Sequence, residues 1–353
     1  MDFYYRFPVV KGIQAGKTYY IGMVPLKTLS KLFSEDEDFI APEHRAQRKL
    51  NESRIPEITR YILENRDSYV FSALAASIDG KHRFIVTGEE GIGILEVDMN
   101  ARFLINDGQH RKAAIITALE EDPDLGEETI SVVFYEDRGL ERSQQMFTDL
   151  NKHAVKTSNS IAELYDHRDP LAVITRKVIS DIDFLNEYVD KERDNLGKYS
   201  SALFALNTFY KANRRILAKK DCNKEFEAYL ACFWSSVVNH MVPWKEVNEH
   251  TISKKDLREQ YIATQAVIIQ ALGRVGYSLY GEDEVRMESV LNKLEGINWR
   301  RNCRDWIGRV IRQDGKMLTS NEAISLAGNI IKNRIGISLS EEEAFTEEKF
   351  NKR

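Results

Sequence analysis

The sequence contains little cysteine, and its three thiols lie far apart at Cys222, Cys232 and Cys303. They form no C-x-x-C pair, which argues against a disulfide framework and against a zinc site of the common type. No segment reaches the roughly 18 uncharged apolar residues that a membrane span needs. The N-terminal stretch MDFYYRFPVVKG lacks the apolar centre of a signal peptide. We therefore expect a cytoplasmic protein that does not enter a membrane.

The sequence also lacks a large charge excess of either sign. It has 50 basic and 55 acidic residues, which gives a net charge of −5. The chain as a whole is therefore not attracted to nucleic acid or to anionic lipid, and any anion-binding surface must be local. Walker, G-x-S-x-G and H-E-x-x-H motifs are absent from the sequence, so no common NTPase loop, hydrolase elbow or zinc-protease helix is indicated.

At 353 residues, 42% of them hydrophobic, the chain is long enough for two domains with cores of their own. Strand and helix patterns alternate in its first part, whereas strand patterns almost vanish after about Ile161. We predict an α+β fold with an α/β domain at 1–160 and an all-helical domain at 161–353. The predicted elements of the first domain include strands at Tyr69–Ile78, Phe84–Thr87 and Ile130–Tyr135, and helices at Ile55–Asn65 and Leu140–Leu150.

In the second domain, apolar residues recur with helical spacing in six segments. Thr319 and Glu322 have the spacing of a capping box before the last of these, and Gly336 stands where a glycine would end it. The charge-rich terminus SEEEAFTEEKFNKR is expected to fray. The six predicted helices are Ser200–Ala218, Phe226–Asn239, Asp256–Leu272, Glu284–Leu294, Asn302–Ile311 and Asn321–Asn333.

The segment INDGQHRKAAI, from Ile105 to Ile115, predicts a buried strand, a turn and the start of a helix. If Asp107 or Gly108 caps that helix, the first backbone amides have no partner inside it, and the helix dipole adds partial positive charge. Gly108 would let a ligand approach the backbone, and helical side chains lean back toward the N-terminus, which brings His110 and Arg111 over it. This arrangement is typical of a phosphate site.

A simpler interpretation of the same segment is a capped helix and nothing more. Asp-Gly is a common turn pair, and aspartate is a favoured N-cap residue. His110 and Arg111 would then be solvated side chains on an exposed first turn. The spacing alone leaves both interpretations open, because short motifs recur by chance.

The string Asp107-Gly108-Gln109-His110-Arg111 resembles the signature of the DGQHR-domain family, whose domain is similar to the ParB/sulfiredoxin superfamily. In those relatives a strand–turn–helix with a glycine and a following arginine holds nucleotide phosphates, and sulfiredoxins have a Gly-Cys-His-Arg version. The resemblance implies a ParB-like fold for the first domain and phosphate binding by these five residues. Gln109 stands in place of the cysteine, and because glutamine is not a sulfur nucleophile, sulfiredoxin-type redox chemistry is not expected.

A wider resemblance covers nearly the whole chain. The stretches QRKLNESRIPEITRYILENRDSYVFSALAASI, MFTDLNKHAVK, LREQYIATQAVIIQALGRVG and GKMLTSNEAISLAGNIIKNRIGISLS resemble the DndB family of bacterial DNA phosphorothioate modification gene clusters. This likeness implies a DNA-associated regulator of the sulfur-modification genes, with hydrolysis of ATP by the ParB-like domain. It also implies that double-stranded DNA and other proteins of the cluster are candidate partners. Self-association into a homo-oligomer is a further possibility, on which the sequence is silent.

Two other groups of residues are candidates for contacts with these ligands. In WRRNCRDWIGRVIR, a helix of roughly 100° per residue would place four arginines on one face for DNA phosphates, although they could equally pair with nearby acids. Asn151, Lys152 and His153 could line the phosphate pocket, or could simply end a helix. The four arginines are Arg301, Arg304, Arg309 and Arg312.

The chemistry of the candidate site leaves several functions open. A carboxylate for Mg²⁺ accompanying ATP or another nucleotide would come from Asp107, or from Glu96 or Asp98 on the preceding strand. As an enzyme, an NTPase or a ParB-type nicking nuclease, the protein would use His110 as proton shuttle and Arg111 to stabilise phosphate charge. As a structural partner of the modification enzymes, it would use neither.

Overall fold

A computed structural model of the chain describes residues 3–33, 51–136, 145–146, 148–150, 157–197 and 200–352. The chain divides into two compact units, Met1–Val155 and Lys156–Arg353, where the sequence led us to expect a boundary at 160/161. Asn151, Lys152 and His153 lie outside the described residues, as does most of the predicted helix Leu140–Leu150. No helix in the described part of the chain is long and apolar enough to cross a membrane.

In the part of the chain that the structure describes, the first unit contains a seven-stranded mixed sheet and several helices. The elements are β1 (Tyr4–Gln14), β2 (Lys17–Pro25), α1 (Leu29–Leu32), α2 (Ile55–Glu64), β3 (Leu74–Asp79), β4 (His82–Val86), β5 (Ile92–Asp98), β6 (Arg102–Asp107), α3 (Gln109–Glu121) and β7 (Thr129–Glu136). The strand order in the sheet is β4-β5-β1-β2-β7-β3-β6, and every neighbouring pair is antiparallel except β3 and β7.

The core of the first unit lies between one face of the sheet and helices α2 and α3. Alternation along the strands directs Val24 of β2 and Val132 and Phe134 of β7 into it, all three fully buried. Phe7 of β1 contacts Phe103 of β6 with ring centroids 6.3 Å apart, so the sheet curves around this core. The two helices also contact each other, and the Thr59 hydroxyl of α2 donates to the Ala114 carbonyl of α3 at 3.3 Å.

The second unit is mainly helical, with one two-residue parallel ladder. Its elements are α4 (Asn159–Tyr165), α5 (Pro170–Asp181), α6 (Asp183–Tyr188), β8 (Val189–Asp190), β9 (Phe204–Ala205), α7 (Leu206–Leu217), α8 (Lys224–His240), α9 (Val242–Asn248), α10 (Lys254–Gln260), α11 (Ala266–Leu279), α12 (Glu284–Leu291), α13 (Asn321–Ile335) and α14 (Glu341–Asn351). The α+β class expected from the sequence agrees with this mixture of sheet and helices.

Buried tryptophans dominate the second core, and each indole has a hydrogen-bond acceptor. Trp234 donates to Asn213 Oδ1 at 2.7 Å and Trp306 donates to the carbonyl of Asn298 at 2.8 Å. The polar atoms of these large side chains are therefore satisfied without solvent.

Helices α7 and α11 approach closely because Gly273 has no side chain. A Cβ there would lie 2.6 Å from the carbonyl oxygen of Ala212.

The prediction of a helix at Asn302–Ile311 is wrong. This segment forms a 3-10 turn at Arg304–Trp306 followed by short bridges, and Gly308 adopts φ +80°. The turn folds the chain back so that Trp306 stacks on Trp299, with ring centroids 5.5 Å apart. Stacking of the two indoles removes a large apolar surface from water. The stabilisation from this burial determines the path of the chain, although the charged residues have helical spacing.

The C-terminal segment differs from expectation as well. Instead of fraying it forms α14, which begins at a capping box of Ser340 and Glu343. Helix α13 is capped by Ser320, whose hydroxyl accepts from the Ala323 amide, and not by a Thr319–Glu322 box. Its end at Gly336, with φ +85°, is confirmed. The short turn between the two helices brings the acidic face of α14 back onto the second unit.

His240 at the end of α8 joins two carboxylates on the next elements. Its Nε2 lies 2.6 Å from Glu288 Oε1 and its Nδ1 lies 2.9 Å from Glu295 Oε1, an arrangement that requires protons on both nitrogens. Burial lowers the pKa of His240, but the two hydrogen bonds outweigh it, so the net pKa is raised above 6.5. The hydrogen bond from Ser236 lowers the pKa of Glu288, and that from His240 lowers the pKa of Glu295.

These shifts predict how stability depends on pH. A raised folded pKa means that the contribution of His240 is present below pH 6.5 and is lost as the pH rises through that raised pKa. The carboxylates contribute above pH 4.5 and lose their contribution as the pH falls. In urea titrations at a series of pH values, the free energy of unfolding should decrease less with rising pH in His240→Gln than in the unmodified protein. The exposed variant His167→Gln is the control. The same decrease with rising pH in His240→Gln as in the unmodified protein would contradict the assignment.

Candidate functional site

The strand–turn–helix predicted from the sequence is present at the end of β6. Asp107 is the last residue of the strand, Gly108 has φ +99° and ψ +17°, and α3 begins at Gln109. A Cβ on Gly108 would collide with Leu74 of β3 and would lie 3.3 Å from the guanidinium of Arg111. Only glycine satisfies both the left-handed backbone and this lack of space.

The N-terminus of α3 has the electrostatic character of an anion site. No side chain caps the helix, and its first backbone bond runs from the Lys112 amide to the Gly108 carbonyl at 2.9 Å. The dipoles of a 13-residue helix place partial positive charge at this end. An anion approaching Gly108 would therefore meet this partial positive charge beside the Asp107 carboxylate.

Arg111 ties three segments together. Its Nη2 donates to Asp107 Oδ2 at 2.5 Å, and its Nη1 donates to the Ser72 and Ala73 carbonyls at 2.6 and 2.9 Å. The hydroxyl of Ser72 also accepts from Nη1. The side chain is 17% exposed. Arg111 therefore joins the first turn of α3 to the end of β6 and to the chain that leads into β3.

His110 is held by the segment that precedes α2. Its Nε2 accepts a hydrogen bond from the backbone amide of Asn51 at 3.1 Å, and Asn51 caps the 3-10 turn Glu52–Arg54 that leads into α2. An accepting Nε2 carries no proton in this arrangement. The imidazole thus positions the chain before α2, and its Nε2 lone pair is already used.

Sequence reasoning missed Asn106, which is the bulged residue of β6 opposite β3. Its side chain is 1% exposed and donates through Nδ2 to Ser77 Oγ at 2.7 Å and to Met146 Sδ at 3.2 Å. No described atom bonds its Oδ1. A bulge redirects the strand end, and here it turns Asp107 toward Arg111. A polar residue inside the apolar run FLIND was the signal available in the sequence.

The two alternative carboxylates for Mg²⁺ lie elsewhere. Glu96 on β5 is separated from β6 by four strands and pairs with Arg6 and Arg83. Asp98 accepts from Asn100 in the turn before β6, at the opposite end of that strand from Asp107. Of the three candidate carboxylates, Asp107 is the one that adjoins the start of α3. Among the described residues, no three His, Cys, Asp or Glu side chains are grouped to hold a metal.

The four arginines predicted for DNA do not share one helical face, because their segment is not a helix. Arg309 is 9% exposed and donates to both carboxylate oxygens of Glu347. Arg301 is half-buried, and its Nε has no described partner. Arg304 and Arg312 are exposed, with Arg312 3.4 Å from Asp314. The four arginines therefore do not form one exposed surface.

The family model for DndB, described as DNA-sulfur modification-associated, matches residues 7–338 of the 353. The chain therefore belongs to the DndB family, as its sequence led us to expect. No curated protein and no solved structure matches it. The family is associated with DNA sulfur modification.

Removal of the Arg111 side chain tests its structural role. Arg111→Ala should lower the free energy of unfolding by about 2 kcal/mol, because a half-buried carboxylate and two carbonyls lose a charged donor. Urea denaturation gives the value, with exposed Arg60→Ala on α2 as the control. Asp107→Asn should cost less, since the carbonyl contacts survive. Equal stability of Arg111→Ala and Arg60→Ala would show that the contacts do not hold the turn.

Proposed function

We propose that the protein is a DNA-binding regulator of a DNA phosphorothioate modification gene cluster. In this proposal the N-terminus of α3 binds a phosphate group of a nucleotide or of DNA. Membership of the DndB family supports the association with DNA sulfur modification. The local strand–glycine–helix arrangement supports phosphate binding, since it is the device by which ParB-like proteins hold phosphates.

The observation that carries the proposal is the helix start at Gly108. No side chain occupies its capping position, and the dipole of α3 favours an anion there. Carboxylate or phosphate oxygens at such a position accept hydrogen bonds from backbone amides. A capped structural helix would instead be expected to carry a capping side chain of its own.

Asp107 sets the conditions under which a phosphate binds. Its carboxylate would repel a phosphate nearby unless a cation lies between them, and Arg111 already neutralises part of that charge at 2.5 Å. The Asp107 side chain is 41% exposed, which fits Mg²⁺ brought by a nucleotide, because Mg²⁺ commonly uses one or two carboxylates and the phosphates themselves. Such an ion would supply charge neutralisation. We assign Arg111 to orienting Asp107.

The geometry favours binding over catalysis at this site. The Nε2 of His110, the candidate proton shuttle, accepts from the Asn51 amide, and the guanidinium of Arg111 is engaged with Asp107, Ser72 and Ala73. Both groups that an NTPase or nuclease would use thus hold the turn itself. We therefore propose that the start of α3 binds a phosphate ligand and does not catalyse a reaction on it.

A carboxylate at the helix start tests the phosphate site without harming the fold. Gln109→Glu should keep or raise stability, because a negative charge suits a helix N-terminus. It should weaken binding of a phosphate ligand by about tenfold, a loss of roughly 1.4 kcal/mol. Equilibrium binding of ATP, CTP and promoter duplex to this variant is compared with exposed Gln14→Glu on β1. Unchanged affinity for all three ligands in Gln109→Glu would exclude α3 as the site.

The exposed arginines of the second unit test where DNA contacts lie. Each phosphate contact contributes a slope of roughly −0.9 in log affinity against log salt concentration. We expect Arg304→Ala with Arg312→Ala to make the slope for promoter duplex shallower by about two, while nucleotide binding at α3 is unchanged. Filter binding or anisotropy between low and high salt measures it. A slope equal to that of the unmodified protein would remove both residues from the interface.

A further inference from the structure

The C-terminal helix α14 lies on three cations, Lys332 and Arg309, which are buried, and Arg274, which is partly buried. Its residues, Glu341–Asn351, fall outside the part of the chain that matches the family model, residues 7–338, whereas the cations fall inside it. Two of its glutamates face the other helices of the second unit: Glu343 is 5% exposed, and the Glu347 side chain is 15% exposed. Glu341, Glu342 and Glu348 on the same helix are exposed.

Each buried glutamate binds cations from other elements. Glu343 Oε1 accepts from Lys332 Nζ of α13 at 2.6 Å and from Arg274 Nη2 of α11 at 2.8 Å. Glu347 accepts from both terminal nitrogens of Arg309, with Nη1 at 2.8 Å from Oε2. Asn329 joins the two positions, because its Nδ2 donates to the Glu343 carbonyl at 3.0 Å and lies 3.4 Å from Glu347 Oε2.

The cations exceed the carboxylates that α14 supplies. Burial lowers the pKa of Arg215, and the nearby charge of Arg274 lowers it further. The hydrogen bonds of Arg215 go to the neutral side chains of Gln270 and Asn321. The Nε of Arg274 is buried, and no described atom accepts from it. Arg274, Arg309 and Lys332 thus carry three positive charges, and two carboxylates of α14 contact them.

Charge holds α14 in place more than apolar contact does. Phe345 is 67% exposed, and Phe350 contacts the Arg309 guanidinium, whose carbon lies 4.3 Å from the ring centroid. Buried ion pairs seldom stabilise a fold more than apolar residues of the same shape would. A helix held mainly by ion pairs can also be displaced by another polyanion that satisfies the same cations.

We propose that Arg274, Arg309 and Lys332 form a binding surface for the phosphate backbone of duplex DNA, which α14 covers with Glu343 and Glu347 in the positions of two phosphates. Glutamates at i and i+4 are about 5–6 Å apart at Cβ, a separation of the same order as that of neighbouring phosphates on one strand. The bidentate contact of Arg309 suits a phosphate as well as a carboxylate. The inference rests on the proposed function, since it deepens DNA binding.

The decisive variant removes the two buried charges of α14. Glu343→Gln with Glu347→Gln should bind duplex DNA at least tenfold tighter than the unmodified protein, with a salt slope steeper by about two to three, because three cations become accessible to phosphates. The matched control is Glu341→Gln with Glu342→Gln, which makes the same charge change at exposed positions of the same helix. Adding Arg274→Ala and Arg309→Ala to the decisive variant should abolish the gain.

A second measurement uses the unmodified chain, so the outcome does not depend on whether the variant folds. Saturating duplex should raise hydrogen exchange of the α14 amides at least tenfold while α11 stays protected. If the unmodified protein binds duplex but neither α14 exchange nor the affinity of the glutamine variant changes, the covered surface is refuted and the proposed DNA binding stands. If no form binds duplex, both proposals fail.

Discussion

The contact of Arg111 with Asp107 and with the carbonyls before β3 is the interaction on which the candidate site depends. It closes a ring that includes the end of β6, the glycine turn and the first turn of α3. Gly108 is confined inside that ring, where a side chain would meet Leu74. The backbone at the helix start is thus fixed before any ligand arrives, so little conformational entropy remains to be lost on binding.

Local patterns predicted the elements that depend on local physics. Helix α2 and strand β7 follow from apolar spacing, and the turn at Asp107–Arg111 follows from its glycine. Strands β1 and β2 escaped prediction because Pro8, Gly12, Gly22 and Pro25 weaken the strand pattern, and only pairing with β5 and β7 makes these segments strands. The partners of the site residues, Ser72 and Asn51, could not be inferred since they come from distant parts of the chain.

The second unit shows why the spacing of charges was a poor guide to function. Arg309 and Arg312 are three residues apart, yet one is 9% exposed and donates to Glu347 while the other is exposed near Asp314. Helical spacing assumed a helix, but the stacking of Trp299 on Trp306 determines the path of this segment. The positively charged residues that matter most for internal structure are those that a count of surface cations would overlook.

The order of strands in the sheet has a consequence for synthesis of the chain. The hairpin of β1 and β2 is complete once residue 25 has emerged, but its neighbours are β5 on one side and β7 on the other. Val24 pairs with Ile130, so roughly a hundred residues must leave the ribosome before this hairpin gains both partners. Pairing over such separations folds slowly, and the nascent N-terminus would expose unpaired strand edges meanwhile, at which a chaperone would be expected to act.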